Sequence, residues 1–341
     1  MDGESENTFN PERFLFRGLH PSVSLGTASD RYKGWIGQIY SEELYSGRIT
    51  SRSNRVGKGS FREEVLPIDS VREYFQHFRV LEIDYTFYAP LANRGKPTPG
   101  AGTLGEYARY MGPGDRVFLK TPQMFFARKV WRGKEYVPNE NYLAPEAFTA
   151  QFYRPAVDLL GPNLKGFIFE QEYQRKTERV PPEDLASELD AFFSSVPRDS
   201  RHHVELRTEA YLCEPVFDVL RKHGIGQVLS HWTWLPDLGK QLARAGGGFI
   251  DAGGQTVIRL MTPLGTRYED AYAKAFPFDR LIEGMLQPAM APRTAELMWE
   301  AVGQGKEVNV LINNRSGGNA PLIARQLAME FTETRKRKDP G

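Results

Sequence analysis

Short apolar runs rich in β-branched and aromatic residues recur along the chain, each followed by a stretch of helical periodicity. The runs are Val23–Ser29, Val80–Phe87, Arg116–Pro122, Leu164–Glu172, His202–Thr208, Gly226–Trp232, Thr256–Thr262 and Glu307–Asn314. Each has the length and residue types of a strand buried in a sheet. Helical periodicity covers Ser70–Phe78, Leu104–Met111, Pro145–Leu160, Pro182–Ser194, Cys213–His223, Pro236–Ala245, Pro292–Gly303 and Pro321–Arg335. Prolines near several of these starts suit the first helical turn, where no amide donor is lost. Gly224 stands where a helix C-terminus takes a left-handed residue. Eight alternations of strand and helix predict a parallel sheet closed into a barrel. An open doubly wound sheet would carry a Gly-rich loop after its first strand, and GTASDRYKGW lacks the G-x-G-x-x-G spacing. The pattern therefore predicts an α/β fold, a single (β/α)8 TIM barrel over residues 21–335. A polar extension at 1–20 and a basic disordered tail at 336–341 flank it.

Three long connections, Asp30–Asp69, Gln123–Ala144 and Pro263–Ala291, follow strands one, three and seven. All leave from strand carboxyl ends, the face on which barrels build their sites. The basic, Gly/Ser-rich stretch Arg48–Arg62 reads either as a mobile lid over that face or as a solvated insertion; its GKGS does not complete a phosphate loop.

Alternation assigns faces within the strands. Leu81, Ile83 and Tyr85 face the helices, so Glu82 and Asp84 point into the barrel; likewise Glu205 and Arg207, Phe118 and Lys120, and Arg259 point inward. In FIFEQE two phases are open: Glu170 and Glu172 inward, or Gln171 inward. A barrel interior is normally filled with branched apolar side chains. Charged residues near several carboxyl ends must be paired there, because an isolated buried charge costs several kcal/mol or more. One reading is a self-neutralising network with Glu205 beside Arg207, Glu82 beside Lys120, and Arg259 completing it. The other is a site, since convergent charged groups at this face mark function.

Composition narrows the partners. The 44 basic residues nearly balance 43 acidic ones, without the basic excess of a duplex-binding protein, so no nucleic-acid partner is expected. No apolar run approaches the ~18 residues of a spanning helix, and MDGESENTFN lacks the features of a secretion signal. No membrane partner is expected, and the location read from the sequence is cytoplasmic. The single Cys213 rules out an intramolecular disulfide and any multi-cysteine metal site.

The segments GTASDRYKGWIGQIY (Gly26–Tyr40), VLEIDYTFYAPL (Val80–Leu91), FLKTP (Phe118–Pro122), VELRTEAYL (Val204–Leu212) and INNRSGGNAP (Ile312–Pro321) resemble the YecE-like family, also called domain of unknown function 72. The resemblance runs from Val23 to Phe331 and implies a TIM-type barrel, with little implied about activity. It implies pocket positions at Tyr32, Trp35, Glu82, Lys120, Glu205, Arg207, Arg259, Asn313 and Asn314. The stretch Tyr45–Glu64 and the EQEYQ ending of the fourth strand depart from the family pattern.

Three chemistries fit these residues. Glu82 and Glu205, on opposite strands, could divide acid and base roles, with Tyr32, Trp35, Tyr88, Trp232 and Trp234 offering flat faces to a sugar. Lys120 could act as a desolvated base or amine nucleophile. Arg207 and Arg259 could clamp a carboxylate or phosphate, and the Asn313–Asn314 loop before the last helix suits an anion. His231 is the histidine expected at the pocket; the histidines show no zinc spacing. No cofactor is expected, an all-oxygen Mg²⁺ or Mn²⁺ site from Glu82, Asp84 and Glu205 being an alternative that the nearby cations disfavour. The sequence therefore points to an enzyme, of hydrolase or lyase/isomerase type, acting on a small anionic or carbohydrate substrate. Glu82, Glu205 and Lys120 would be catalytic; Tyr32, Trp35, Arg207, Arg259, His231, Asn313 and Asn314 would bind. The alternative is a non-catalytic barrel that binds a metabolite or protein.

Overall fold

The computed structural model describes residues 9–338. Eight parallel strands close into a barrel: β1 (Val23–Ala28), β2 (Val80–Ile83), β3 (Arg116–Lys120), β4 (Leu164–Glu170), β5 (His202–Glu205), β6 (Gly226–His231), β7 (Gln255–Leu260) and β8 (Glu307–Ile312). Each pairs with the next in sequence, and β8 closes on β1 with Gly26 opposite Leu311. This is the predicted (β/α)8 barrel.

Period-two alternation sorts the side chains into two shells. Leu25, Leu81, Leu119, Phe169, Val204, Leu229, Ile258 and Val310 face outward and bury against the surrounding helices. Inside, Val80, Phe118, Ile168, Val228, Val257 and Leu311 form a separate apolar layer. Two residues further along the same strands stand Glu82, Lys120, Glu170, Ser230, Arg259 and Asn313, all buried. A rise of ~3.3 Å per residue sets this polar layer ~7 Å above the apolar one, toward the carboxyl ends. The lower barrel is thus an ordinary core and the upper barrel a charged floor. Close approach is needed where β1 meets β2: a Cβ on Gly26 would lie 1.9 Å from the carbonyl oxygen of Val80.

All eight strands end one to four residues earlier than the pattern predicts, and after three of them side chains account for it. After β2 the chain turns into a 3-10 turn at Tyr85–Phe87, where the Thr86 hydroxyl donates to the carbonyls of Ile83 and Lys120. After β5 the Gln171 side-chain oxygen accepts from the amides of Arg207 and Thr208, replacing ladder bonds. After β8 the Asn313 side chain accepts from the amide of Arg315 and starts the turn Asn314–Ser316. The helix expected at Leu104–Met111 begins earlier and spans Pro99–Tyr110, with Pro99 in its first turn.

The ends also differ from expectation. Of the extension at 1–20, residues 1–8 lie outside the described residues, while Phe14 and Phe16 are buried in the main core. The last helix, Ala320–Lys338, runs three residues into the expected tail, whose remaining residues 339–341 lie outside the described ones. Among the described residues no helix is long and apolar enough to cross a membrane.

The long connection after β1 carries an antiparallel hairpin, Thr50–Val56 with Gly59–Val65. It packs on the helix Tyr268–Ala275 of the connection after β7 through Phe61, whose ring centroid is 4.9 Å from that of Tyr272. The Glu63 carboxylate accepts from Tyr272 Oη, from Asn54 Nδ2 at 2.7 Å and from Arg52 Nε at 2.8 Å. The stretch read as a lid or an insertion is therefore an ordered wall fixed to a neighbouring loop.

Candidate functional site

A cavity of about 370 Å³ opens at the carboxyl ends of the strands, with Glu82, Lys120, Glu170 and Arg259 at its floor. Asn313 and Arg315 come from the loop after β8, and Asn54–Gly57 from the tip of the hairpin. Three carboxylates and three cations interlock there. Arg259, fully buried, donates from Nε to Glu82 Oε2 at 2.8 Å and from Nη2 to Glu82 Oε1 at 2.6 Å. Its Nη1 bonds Glu205 Oε2 and lies 3.6 Å from Glu170 Oε2. Lys120 Nζ is 2.5 Å from Glu170 Oε2, while Arg207 reaches Glu170 Oε1 at 2.6 Å and Glu205 Oε2 at 3.2 Å. The partner of Lys120 is therefore Glu170; Glu82, expected beside Lys120, is instead clamped by Arg259.

The charges respond to this burial. Desolvation pushes the Glu82 carboxyl above its ordinary range, against the pull of Arg259 and Lys120. Desolvation acts on Glu170 too, but Arg207, Lys120 and Arg259 outweigh it and bring its pKa down to about 2. Glu205 is likewise held below its usual value, the burial effect being exceeded by Arg207 and Arg259. Lys120 moves downward, first through burial and then through repulsion from Arg259 and Arg207, with Glu170 opposing. Arg259 is raised: burial works against its charge, and Glu205, Glu82 and Glu170 prevail. Lys120 is thus the cation on this floor whose proton is loosened.

Three cations of the cavity rest on aromatic rings. Lys120 Nζ lies 3.9 Å from the Phe87 centroid, Arg207 Cζ 4.9 Å from Trp232, and Arg315 Cζ 4.3 Å from Tyr268. Such contacts hold a cation while leaving its N–H groups free to meet a ligand. Tyr88 stands on the rim, 80% exposed.

Of the residues expected to bind or react, Glu82, Lys120, Arg207, Arg259 and Asn313 meet at this cavity. Glu205 does not line it and sits behind Arg207 and Arg259. Asn314 turns away: its Oδ1 accepts from Trp35 Nε1 at 3.2 Å and from the Ala320 amide at 2.8 Å, capping the last helix. Trp35 is fully buried, and Tyr32 lines a neighbouring cavity of about 360 Å³ with Lys33 and Phe276. His231 corrects the expectation most plainly. Ser230 holds the inward phase on β6, so His231 faces outward, where its Nδ1 lies 2.9 Å from the Thr262 carbonyl oxygen. The phase left open on β4 is settled with Glu170 inward. Glu172 lies beyond the strand and accepts from the amide of Arg128 at 3.0 Å.

Among the residues not singled out from sequence, Arg315 and Arg55 also line the cavity. Arg315 had a signal, since it directly follows the Asn pair that comes after β8. Among the described residues no three His, Cys, Asp or Glu side chains are grouped to hold a metal ion. Glu82 and Glu205, two ligands of the alternative Mg²⁺ or Mn²⁺ site, direct oxygens to Arg259 instead.

Comparison with known proteins places the chain. No functionally curated protein matches it in sequence. A DUF72 family protein of Thermotoga maritima is similar in structure at 17% identity and a TM-score of 0.54, covering 92% of this chain and 99% of the other. A DUF72 family protein of Enterococcus faecalis gives 13% identity and a TM-score of 0.52, covering 93% and 99%. At these identities the likeness shows the fold alone. The family described as "Protein of unknown function DUF72" matches residues 24–340, nearly the whole barrel, and the chain belongs to that family.

Proposed function

We propose that the barrel mouth is an active site for a small polar anion, with Lys120 as the group that transfers a proton. The observation that carries this reading is the position of Lys120: its amine is buried at the cavity floor and drawn below its ordinary pKa, beside a carboxylate that stays ionised. The Lys120 amine, its proton loosened, takes a proton from a carbon beside the anion's carbonyl or carboxylate, the C–H electron pair moving toward that oxygen, and the ammonium returns a proton to the carbon in the reverse step. Arg207 and Arg315, seated on rings, meet the ligand's negative charge, and Asn313 orients it.

Glu82 and Glu205 then act as positioning residues. Both are joined through Arg259, which occupies the space an acid/base pair would need for substrate. A carbohydrate is less well served than an anion, because Phe87, Trp232 and Tyr268 each carry a cation over the ring.

The balance of three carboxylates against three cations favours a second reading, in which the mouth binds the anion without turnover. One experiment separates them. Small dicarboxylates and sugar phosphates are screened by thermal shift on wild type and Arg315→Gln, a ligand at 100 times its Kd stabilising by about 2.7 kcal/mol. Hits are then incubated in D₂O, and deuterium uptake by wild type is compared with Lys120→Met. A hit weakened by Arg315→Gln whose deuterium uptake disappears in Lys120→Met supports the active site. A hit with no uptake supports the binding barrel, and a panel with no hit overturns both.

A further inference from the structure

The opposite end of the barrel holds a second cavity, of about 240 Å³, among the amino ends of the strands. It is lined by four cationic side chains, Arg17, Arg79, Arg116 and Lys165, and by one carboxylate, Glu307. Their positions follow from the fold. Arg116 opens β3, Lys165 and Glu307 begin β4 and β8, and Arg79 immediately precedes β2. Ser24 and Asn309, on β1 and β8, add neutral hydrogen-bonding groups.

Several features separate this cavity from a solvated basic surface. Arg17 is 7% exposed, and its Nη1 is committed to Asp115 Oδ1 at 2.8 Å and to the carbonyls of Phe75 and Phe78. Its buried Nε has no hydrogen-bond partner. A Cβ on Gly114 would come within 3.0 Å of Arg17 Nη2, so glycine there leaves the guanidinium room at the cavity wall. Arg116 directs Nη1 to the carbonyls of Pro113 and Asp115. Lys165 pairs with Glu307 across the opening. Arg79 is pulled below its ordinary pKa, first by burial and then by repulsion from Arg17, with Glu307 opposing. Four cations gathered so closely, against the two carboxylates Asp115 and Glu307, with backbone carbonyls as further partners of Arg17 and Arg116, favour a compact anion of high charge.

We infer that the amino end of the barrel is a binding site for a phosphate dianion, distinct from the mouth and independent of what the mouth does. Arg17, Arg79 and Arg116 supply guanidinium N–H groups, Lys165 an ammonium, and Ser24 and Asn309 neutral polar contacts. The volume suits inorganic phosphate or the phosphate end of a small monoester.

The test is titration of the full chain by calorimetry with inorganic phosphate and with glycerol 3-phosphate, in parallel with chloride at matched ionic strength. Wild type, Arg116→Gln, Lys165→Met and the mouth variant Arg315→Gln are compared, with circular dichroism confirming that each is folded. Phosphate is expected to bind wild type and Arg315→Gln alike, and its Kd to rise at least tenfold in Arg116→Gln and in Lys165→Met. Measured in Arg315→Gln, where the mouth is impaired, tighter binding of glycerol 3-phosphate would identify a phosphorylated metabolite as the source of the dianion, and weaker binding free phosphate. Either is consistent with the site. Binding that is lost in Arg315→Gln, that survives both amino-end variants, or that chloride reproduces, would overturn the inference.

Discussion

Replacing Arg259 by Met tests the charged floor most directly. Arg259, Glu82 and Glu205 are all fully buried, and the guanidinium bonds both oxygens of Glu82 as well as Glu205. Methionine nearly fills the volume but leaves Glu82 without an ion-pair partner, since Lys120 and Arg207 are paired with Glu170. Breaking one side of a buried pair costs about 3–5 kcal/mol. That is a large part of the ~5–15 kcal/mol that holds a domain folded. For a chain of 341 residues, at about 1.4 °C per kcal/mol, Tm should fall by roughly 4–7 °C. The loss should also depend on pH, and its sign is fixed. Glu82 is already pushed upward by burial, and Arg259 is the strongest influence opposing that push. Without Arg259 its folded pKa rises further above the unfolded value of about 4.3. The deficit is then complete above that raised pKa and shrinks as pH falls through it, because a protonated carboxyl needs no counter-charge. Urea denaturation of wild type and variant at pH 8 and pH 5.5 measures this. The double variant Glu82→Gln/Arg259→Met should recover part of the loss at pH 8. A deficit below about 1 kcal/mol, or an equal deficit at both pH values, would refute the argument.

Two further outcomes are expected. His202 and His203 are held neutral by burial, each with its pKa drawn down to about 4. The unfolded chain takes up protons that the folded one refuses, so stability should fall from pH 6.5 to about 4, by roughly 3 kcal/mol per histidine. His203→Gln should show a shallower decline across that window, and an unchanged slope would contradict this. Tyr272→Phe removes one donor to the Glu63 carboxylate, at a cost of about 1–3 kcal/mol felt locally. Native-state proteolysis within the Thr50–Val65 hairpin should quicken at least about fivefold while the global urea midpoint holds; equal cleavage rates would mean that the hairpin is anchored elsewhere.

The barrel was legible because period two along a strand is a strong constraint. In VLEI and VIRL the outward residues are aliphatic, so Glu82 and Arg259 had only the interior to occupy. His231 failed because alternation is silent in GQVLSHW: Val228 and Leu229 are both apolar and Ser230 and His231 both polar, so neither phase is preferred. Pairing within the floor was not legible. Which carboxylate Lys120 meets depends on strand stagger around a closed barrel, which no single strand encodes. Trp35 and Asn314 are the opposite case, since both belong to conspicuous motifs and yet bond each other in the wall behind the mouth. A motif marks a demanding local geometry, and capping a helix is as demanding as binding a ligand.

Seating Lys120, Arg207 and Arg315 on rings has a thermodynamic consequence. Long cationic side chains ordinarily lose rotational freedom when a ligand arrives, about 0.5–1.5 kcal/mol for each one immobilised. Here the rings of Phe87, Trp232 and Tyr268 restrict them as part of the fold itself. That entropy is lost once, when the chain folds, and not again at each encounter with a ligand. Association at this mouth should therefore proceed with a small conformational-entropy penalty, and selectivity should come from the fixed spacing of the three cations.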